Sequence, residues 1–192
     1  MLAGRRILLI VGGGIAAYKR LELIRLLQKA GAAVVPVLTA AGAEFVTPLS
    51  VSALAGEPVN TALFDLTAET RMGHIELSRS ADLVVVAPAT ADLIAKLANG
   101  HADDLASTLL LATDKRVLQA PAMNVRKWQH PAMQRNLATV IADGALIIGP
   151  DEGAMACGEF GPGRLSESPV ILAAIEAALP DGPLRGRRSG WR

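Results

Sequence analysis

Only one cysteine, Cys157, stands among the 192 residues, so an intrachain disulfide is excluded. A chain with no disulfide framework reads as cytoplasmic. Aromatic residues are scarce at 3%, so the core must be aliphatic and alanine-rich. Neither sign of charge is in excess: 19 Lys and Arg face 18 Asp and Glu, for a net charge of +1. That balance points to neither nucleic acid nor a membrane surface as a partner. No apolar run is long enough to span a bilayer. The run Ile7 to Val11, after Arg5 and Arg6, mimics a secretory leader. It ends at three glycines and is too short for a leader's hydrophobic region.

What is present is a folding composition, with 51% hydrophobic and 19% charged residues. The length suits one domain, placed at 1–179. The tail 180–192 turns to Pro, Gly and Arg, with Arg185, Arg187, Arg188 and Arg192. It reads as a solvated linker, with a basic contact as the competing reading.

Short apolar runs alternate with helical spacing. Strands are expected at Ile7 to Val11, Val34 to Leu38, Leu83 to Ala87, Val117 to Ala120 and Leu146 to Ile148. Pro36 pushes the second towards a sheet edge. Helices are expected at Ala16 to Ala30, Ala91 to Asn99, Asp103 to Ala112, Met133 to Asp143 and Pro169 to Leu179. Thr39 to Gly56 reads as loop and short helices, and Pro150 to Arg164 as glycine-rich and irregular. The alternation predicts a three-layer α/β fold, an open parallel sheet with helices on both faces, Rossmann-like or flavodoxin-like. Such sheets bind ligands beyond the carboxyl ends of their strands. Three chemically suggestive segments directly follow predicted strands there, at Gly12, Pro88 and Pro121.

Gly12, Gly13 and Gly14 sit between a strand and a helix. Glycine lets the backbone approach an anion, so a phosphate is the expected guest; a plain tight turn is the structural alternative. Ala17 stands where a dinucleotide motif would place its last glycine. Asp92 and Asn124 each precede a predicted helix or open one, so each also reads as an N-cap. Cys157 lies on a glycine-rich stretch, where a buried apolar role is less expected than in a core. Gly158, Gly161 and Gly163 would lend that stretch hinges. Arg164 would clamp a phosphate or simply end the stretch. His101 and His130 read as surface or capping residues, and no metal site is expected.

Four segments in register carry a stronger signal: Gly12-Gly-Gly-Ile-Ala-Ala-Tyr-Lys19, Pro88-Ala-Thr-Ala-Asp92, Pro121-Ala-Met-Asn-Val-Arg-Lys-Trp128 and Ala156-Cys-Gly158. With His74 between the first two, they resemble the flavin-dependent cysteine decarboxylases over roughly residues 4 to 179. The likeness is nearest to the phosphopantothenoylcysteine decarboxylase domains of bacterial bifunctional coenzyme A biosynthesis proteins. The resemblance implies FMN as cofactor. It places Gly12, Gly13, Gly14, Ile15 and Thr39 around the phosphate, and Pro88, Ala89, Thr90 and Asp92 along the flavin. It implies His74 as base, Asn124 as the group holding the substrate carboxylate, and Cys157 as proton donor. Met123 and Arg164 would complete the substrate pocket. Two departures stand out: many relatives carry Ser at Gly12, and Met is usual at Lys127.

The implied reaction oxidises the substrate thiol to a thioaldehyde, which makes carbon dioxide loss possible. The resulting enethiol is then reduced, turning phosphopantothenoylcysteine into phosphopantetheine. The resemblance further implies a homo-oligomer, a trimer or a multiple of trimers. In the full bifunctional protein a C-terminal phosphopantothenate–cysteine ligase domain would follow. The competing functions are a peptidyl-cysteine decarboxylase, which stops at the enethiol, a regulatory flavoprotein and a simple electron carrier.

Overall fold

A computed structural model describes residues 2–62 and 73–179, apart from the side chain of His74. The basic tail expected at 180–192 lies outside the described residues.

β1 (Arg6–Val11) runs into the three glycines, a short 3-10 turn (Ile15–Tyr18) and α1 (Lys19–Lys29). Gly31, with φ of 92°, stops that helix and leads to β2 (Ala33–Leu38). Two short helices follow, α2 (Ala40–Ala43) and α3 (Pro48–Ala55), then α4 (Gly73–Ser80). β3 (Leu83–Ala89), α5 (Ala91–Asn99), α6 (Leu105–Ala112) and β4 (Val117–Pro121) continue the alternation. After α7 (Val125–Gln129) and α8 (Pro131–Ala142) comes the short β5 (Leu146–Ile147).

These five strands form one parallel sheet in the order β2-β1-β3-β4-β5. The chain turns one way from β1 to β2 and the other way to β3. The switch in strand order therefore lies between β1 and β3. Pro36 takes the edge strand, where its missing N–H removes no bond from the sheet interior. Its carbonyl accepts from the Asn60 backbone N–H at 3.0 Å, which closes part of that edge.

Alternation along β1 sends Ile7, Leu9 and Val11 to one face and Leu8 and Ile10 to the other. The first face packs against Leu23, Ile24 and Leu27 of α1 and Val51 of α3. Ile171 and Ile175 of α9 (Ser168–Ala178) complete that layer. The second face meets Leu93 and Ile94 of α5, Leu109 of α6 and Met133 and Val140 of α8. Each fully buried aliphatic side chain contributes about 1.5–3 kcal/mol. The sheet is thus sealed on both sides, as its near-continuous apolar strands require.

The stretch 150–164 departs from the irregular segment expected. It is an antiparallel hairpin of β6 (Asp151–Ala154) and β7 (Phe160–Arg164), separate from the main sheet. Gly153 faces Gly161 and Glu152 faces Pro162 across it. Residues of such low strand propensity carry no readable pattern. The hairpin closes because the Met155 N–H bonds the Glu159 carbonyl and the Gly158 N–H bonds the Met155 carbonyl, each at 2.9 Å. No helix among the described residues is long and apolar enough to cross a membrane.

Candidate active site

A cavity of about 560 Å³ opens at the carboxyl ends of β1, β3 and β4, beneath the hairpin. It lies at the switch in strand order, where the topology leaves a crevice. Of the residues singled out in the sequence, Gly13, Gly14, Ile15, Pro88, Thr90, Asp92, Met123, Asn124, Cys157 and Arg164 line it. Gly12, Thr39 and Ala89 do not.

The glycine turn is set by close approach. A side chain at Gly12 would run into the Pro88 carbonyl oxygen, so the ends of β1 and β3 touch there. A Cβ on Gly13 would lie 2.6 Å from the Cβ of Ala41. Gly14 holds φ of 128°, and no atom lies within 4 Å of where its Cβ would be. The turn therefore presents bare backbone to the cavity. Thr39 caps α2: its hydroxyl accepts from the Gly42 N–H at 2.9 Å and donates to the Val11 carbonyl at 3.2 Å.

On the next wall Thr90, not Asp92, caps α5, accepting from the Leu93 N–H at 3.2 Å. Asp92 occupies the first turn instead. There it meets Lys96 at 3.5 Å, and Lys96 also binds Asp103 and Asp104. A hydroxyl just before the helix reaches the free N–H groups of its first turn better than a residue inside it.

Asn124 caps α7. Its Oδ1 accepts from the Lys127 N–H at 2.8 Å, leaving the two amide hydrogens without a bond among the described residues. The cap and a binding role are therefore compatible: the first fixes which end of the amide faces a ligand. Lys127, the departure from the usual Met, lines the same cavity. The hairpin is stitched to this segment by the Met123 N–H, which bonds the Gly163 carbonyl at 3.0 Å. Gly163 has φ of 137°, and a Cβ there would strike the Met123 carbonyl oxygen. Cys157 sits exposed on the hairpin turn, its Sγ 3.7 Å from a Glu159 carboxylate oxygen.

His74 is the second residue of α4, a helix start as expected; its side chain lies outside the described residues. His130 caps α8, with Nδ1 accepting from the Ala132 N–H at 3.1 Å. His101 is exposed beyond α5.

Two charged residues were missed. Lys19 lines the cavity, and its Nζ is 2.9 Å from Oε1 of Glu167. Arg164 reaches the same oxygen at 2.6 Å. The bond from Lys19, followed by that from Arg164, holds the Glu167 carboxyl below the usual carboxylate range. Lys19 closes the first quoted motif, but nothing in the spacing links it to a carboxylate near the other end of the chain.

A parallel sheet with a glycine turn and a cavity at its switch point defines a three-layer α/β nucleotide-binding protein. A family model described as Flavoprotein matches residues 1–179, and the chain belongs to that family. It is 52% identical over 171 residues to the coenzyme A biosynthesis bifunctional protein CoaBC of Escherichia coli, covering 89% of this chain and 42% of that one. Its Vibrio cholerae counterpart is 50% identical over 187 residues, covering 97% and 47%. The chain thus spans about half the length of the curated relatives it matches. Among solved structures, a PPC decarboxylase cysteine-to-serine mutant complexed with pantothenoylaminoethenethiol superposes with a TM-score of 0.79 at 29% identity, covering 90% of this chain and 97% of that one. The FMN-dependent cysteine decarboxylase SpaF gives 0.77 at 30% identity, with 91% and 99% covered.

Proposed function

We propose that this chain is an FMN-dependent decarboxylase that converts phosphopantothenoylcysteine to phosphopantetheine in coenzyme A synthesis. One observation carries the reading. Asn124 with free amide hydrogens, the Cys157 thiol and a bare glycine turn all meet on one cavity. An FMN fits these walls: Gly13 and Gly14 offer backbone to its phosphate, and Pro88, Thr90 and Ala91 give a planar ring a low wall. Bound FMN supplies reversible two-electron oxidation, which a cysteine carboxylate lacking an electron sink needs.

The remaining chemistry belongs to the chain. The Asn124 amide orients the substrate carboxylate without neutralising it, so the ionised form, from which carbon dioxide leaves, persists. His74 takes the thiol proton, a role resting on its sequence position alone. Two electrons leave the Cβ–thiol unit, carbon dioxide departs, and two electrons return with a proton from Cys157. The hairpin carries Cys157 over the site.

The decarboxylase domain is assigned to residues 1–179. Ile15 and Tyr18 are 62% and 55% exposed beside the cavity, and Phe45 and Leu49 are also exposed. These apolar side chains favour a homo-oligomer, placed here as a trimer or a multiple of trimers. The bifunctional relatives favour a phosphopantothenate–cysteine ligase domain as partner. With one free thiol, the protein belongs in the cytoplasm.

Mass spectrometry after incubation with phosphopantothenoylcysteine tests the reading. A saturated product that has lost carbon dioxide is expected. Cys157→Ser is expected to release the unsaturated thiol, lighter by two hydrogens. Unchanged substrate beside bound flavin, or turnover of a peptidyl cysteine only, would overturn the assignment.

A further inference from the structure

A cavity that holds both FMN and the phosphorylated substrate must place three anions, and two have hosts. The flavin phosphate suits the glycine turn, and the carboxylate suits Asn124. The third is the phosphate monoester at the far end of the substrate. We propose that Lys19 and Arg164, joined by Glu167, form a built subsite for that phosphate monoester. This inference rests on the decarboxylase reading and adds the residues that recognise the phosphorylated end.

Both cations face the cavity, while Glu167 stands behind them and does not line it. One carboxylate oxygen holds Lys19 at 2.9 Å and Arg164 at 2.6 Å. The two side chains are thus fixed before any ligand arrives, which lowers the ordering cost of binding. Two other contacts hold the arrangement. Ser168 donates to the Lys19 carbonyl at 3.1 Å, tying α9 to the start of α1. The Arg164 guanidinium lies across Gly153, where a Cβ would come 3.0 Å from Cδ and 3.3 Å from Nη1. A methyl there would press on the Arg164 side chain, which would have to give by about a few tenths of an ångström.

The charge does not balance. Two cations share one carboxylate at the wall. Arg20, 1% exposed, adds a third cation whose three guanidinium nitrogens have no partner among the described residues. Burial lowers its pKa to about 10, against the opposing pull of Glu167 and then Glu22, so it stays charged at neutral pH. At the wall itself the excess of Lys19 and Arg164 over Glu167 is one positive charge, while Arg20, which does not line the cavity, is opposed by Glu22 as well. A phosphate monoester carries roughly −1.5 to −2 at neutral pH. The leaving carboxylate is a poor occupant, because pairing it with two cations would stabilise it against loss of carbon dioxide.

The phosphate could come from the substrate or from FMN, and the experiment separates them. Binding of phosphopantetheine and of pantetheine to the flavin-loaded protein is measured by calorimetry. Flavin affinity is measured by fluorescence. Wild type is expected to prefer the phosphorylated ligand. Lys19→Met and Arg164→Met are each expected to weaken phosphopantetheine about tenfold or more, leaving pantetheine and flavin affinity unchanged. Arg164→Lys is expected to restore part of the loss. Added salt should shrink the preference. Equal weakening of both ligands, or no preference in wild type, would overturn the subsite. Weaker flavin binding would assign the pair to the FMN phosphate. These readouts need no turnover. A protein that prefers the phosphate but does not decarboxylate loses the activity assignment alone.

Discussion

The two walls of the cavity rest on different physics. At the carboxyl ends of β1 and β3, Ile10, Val11, Val86, Ala87 and Ala89 are all buried, and the glycine turn is wedged against Pro88 and Ala41. The hairpin that covers the cavity buries little: Phe160 is 72% exposed and Cys157 lies in solvent. It is held by backbone pairing and by its stitch to Met123. The glycine-turn wall therefore shares the stability of the core, whereas the hairpin wall sits on an element that opens at lower free energy. In the proposed decarboxylase, binding a resident cofactor and admitting a substrate would make those opposite demands.

The contrast can be broken from the rigid side. Gly13→Val would drive a branched side chain into Ala41. We expect loss of flavin together with about 1–3 kcal/mol of stability. Flavin absorbance and thermal melting, followed together, check this. Retention of both would show that the turn tolerates volume.

From the hairpin side, Gly163→Ala should separate the two functions. Its Cβ would strike the Met123 carbonyl at a φ that side chains avoid. Flavin should remain at full occupancy, while kcat/KM drops about 10²-fold through misplacement of Cys157. Joint loss of flavin and activity would mean that the hairpin also holds the cofactor.

Asn124 stands at the seam, with cap and ligand roles to resolve. Asn124→Ala is expected to cost about 1 kcal/mol through the lost cap. Asn124→Asp keeps the cap and should melt like wild type. Both should lower kcat/KM by about tenfold or more, with Asp the worse because it repels the substrate carboxylate. Equal activity of Asp and wild type would leave Asn124 as a cap only.

The smallest expected effect is the pH response of Glu167. Lys19, and then Arg164, hold its folded pKa below the usual value of about 4.3. A lowered folded pKa contributes stability above the unfolded value, and that contribution is lost as pH falls through the folded one. Acid melts of wild type should therefore fall more steeply below about pH 4 than those of Glu167→Gln. With both partners partly exposed, the difference should stay within about 1 kcal/mol.

The sheet was legible because buried parallel strands must be apolar throughout. Ile7–Val11 and Leu83–Ala87 announced themselves, and Pro36 marked the edge. The site segments were legible for a related reason: bare glycines and an Asn after a strand are costly unless the backbone there has a task. The hairpin was not legible, since Gly153, Gly161 and Pro162 pair through backbone that no side-chain pattern reports. The cap of α5 is Thr90, two residues before the Asp92 that the sequence suggests, because its hydroxyl reaches the Leu93 N–H. Periodicity bounds a helix only to within a residue or two.

By itself, then, the sequence determined the alternating architecture, the aliphatic core and the segments that meet at the switch point, because each depends on local spacing and burial. Only the tertiary structure decided that the glycine-rich stretch is a hairpin over the cavity. It alone brought Lys19 and Arg164 to one oxygen of Glu167, and set Gly153 beneath the guanidinium. Such contacts join residues as far as 148 positions apart. They arise from how layers pack, and no local preference of either partner encodes them.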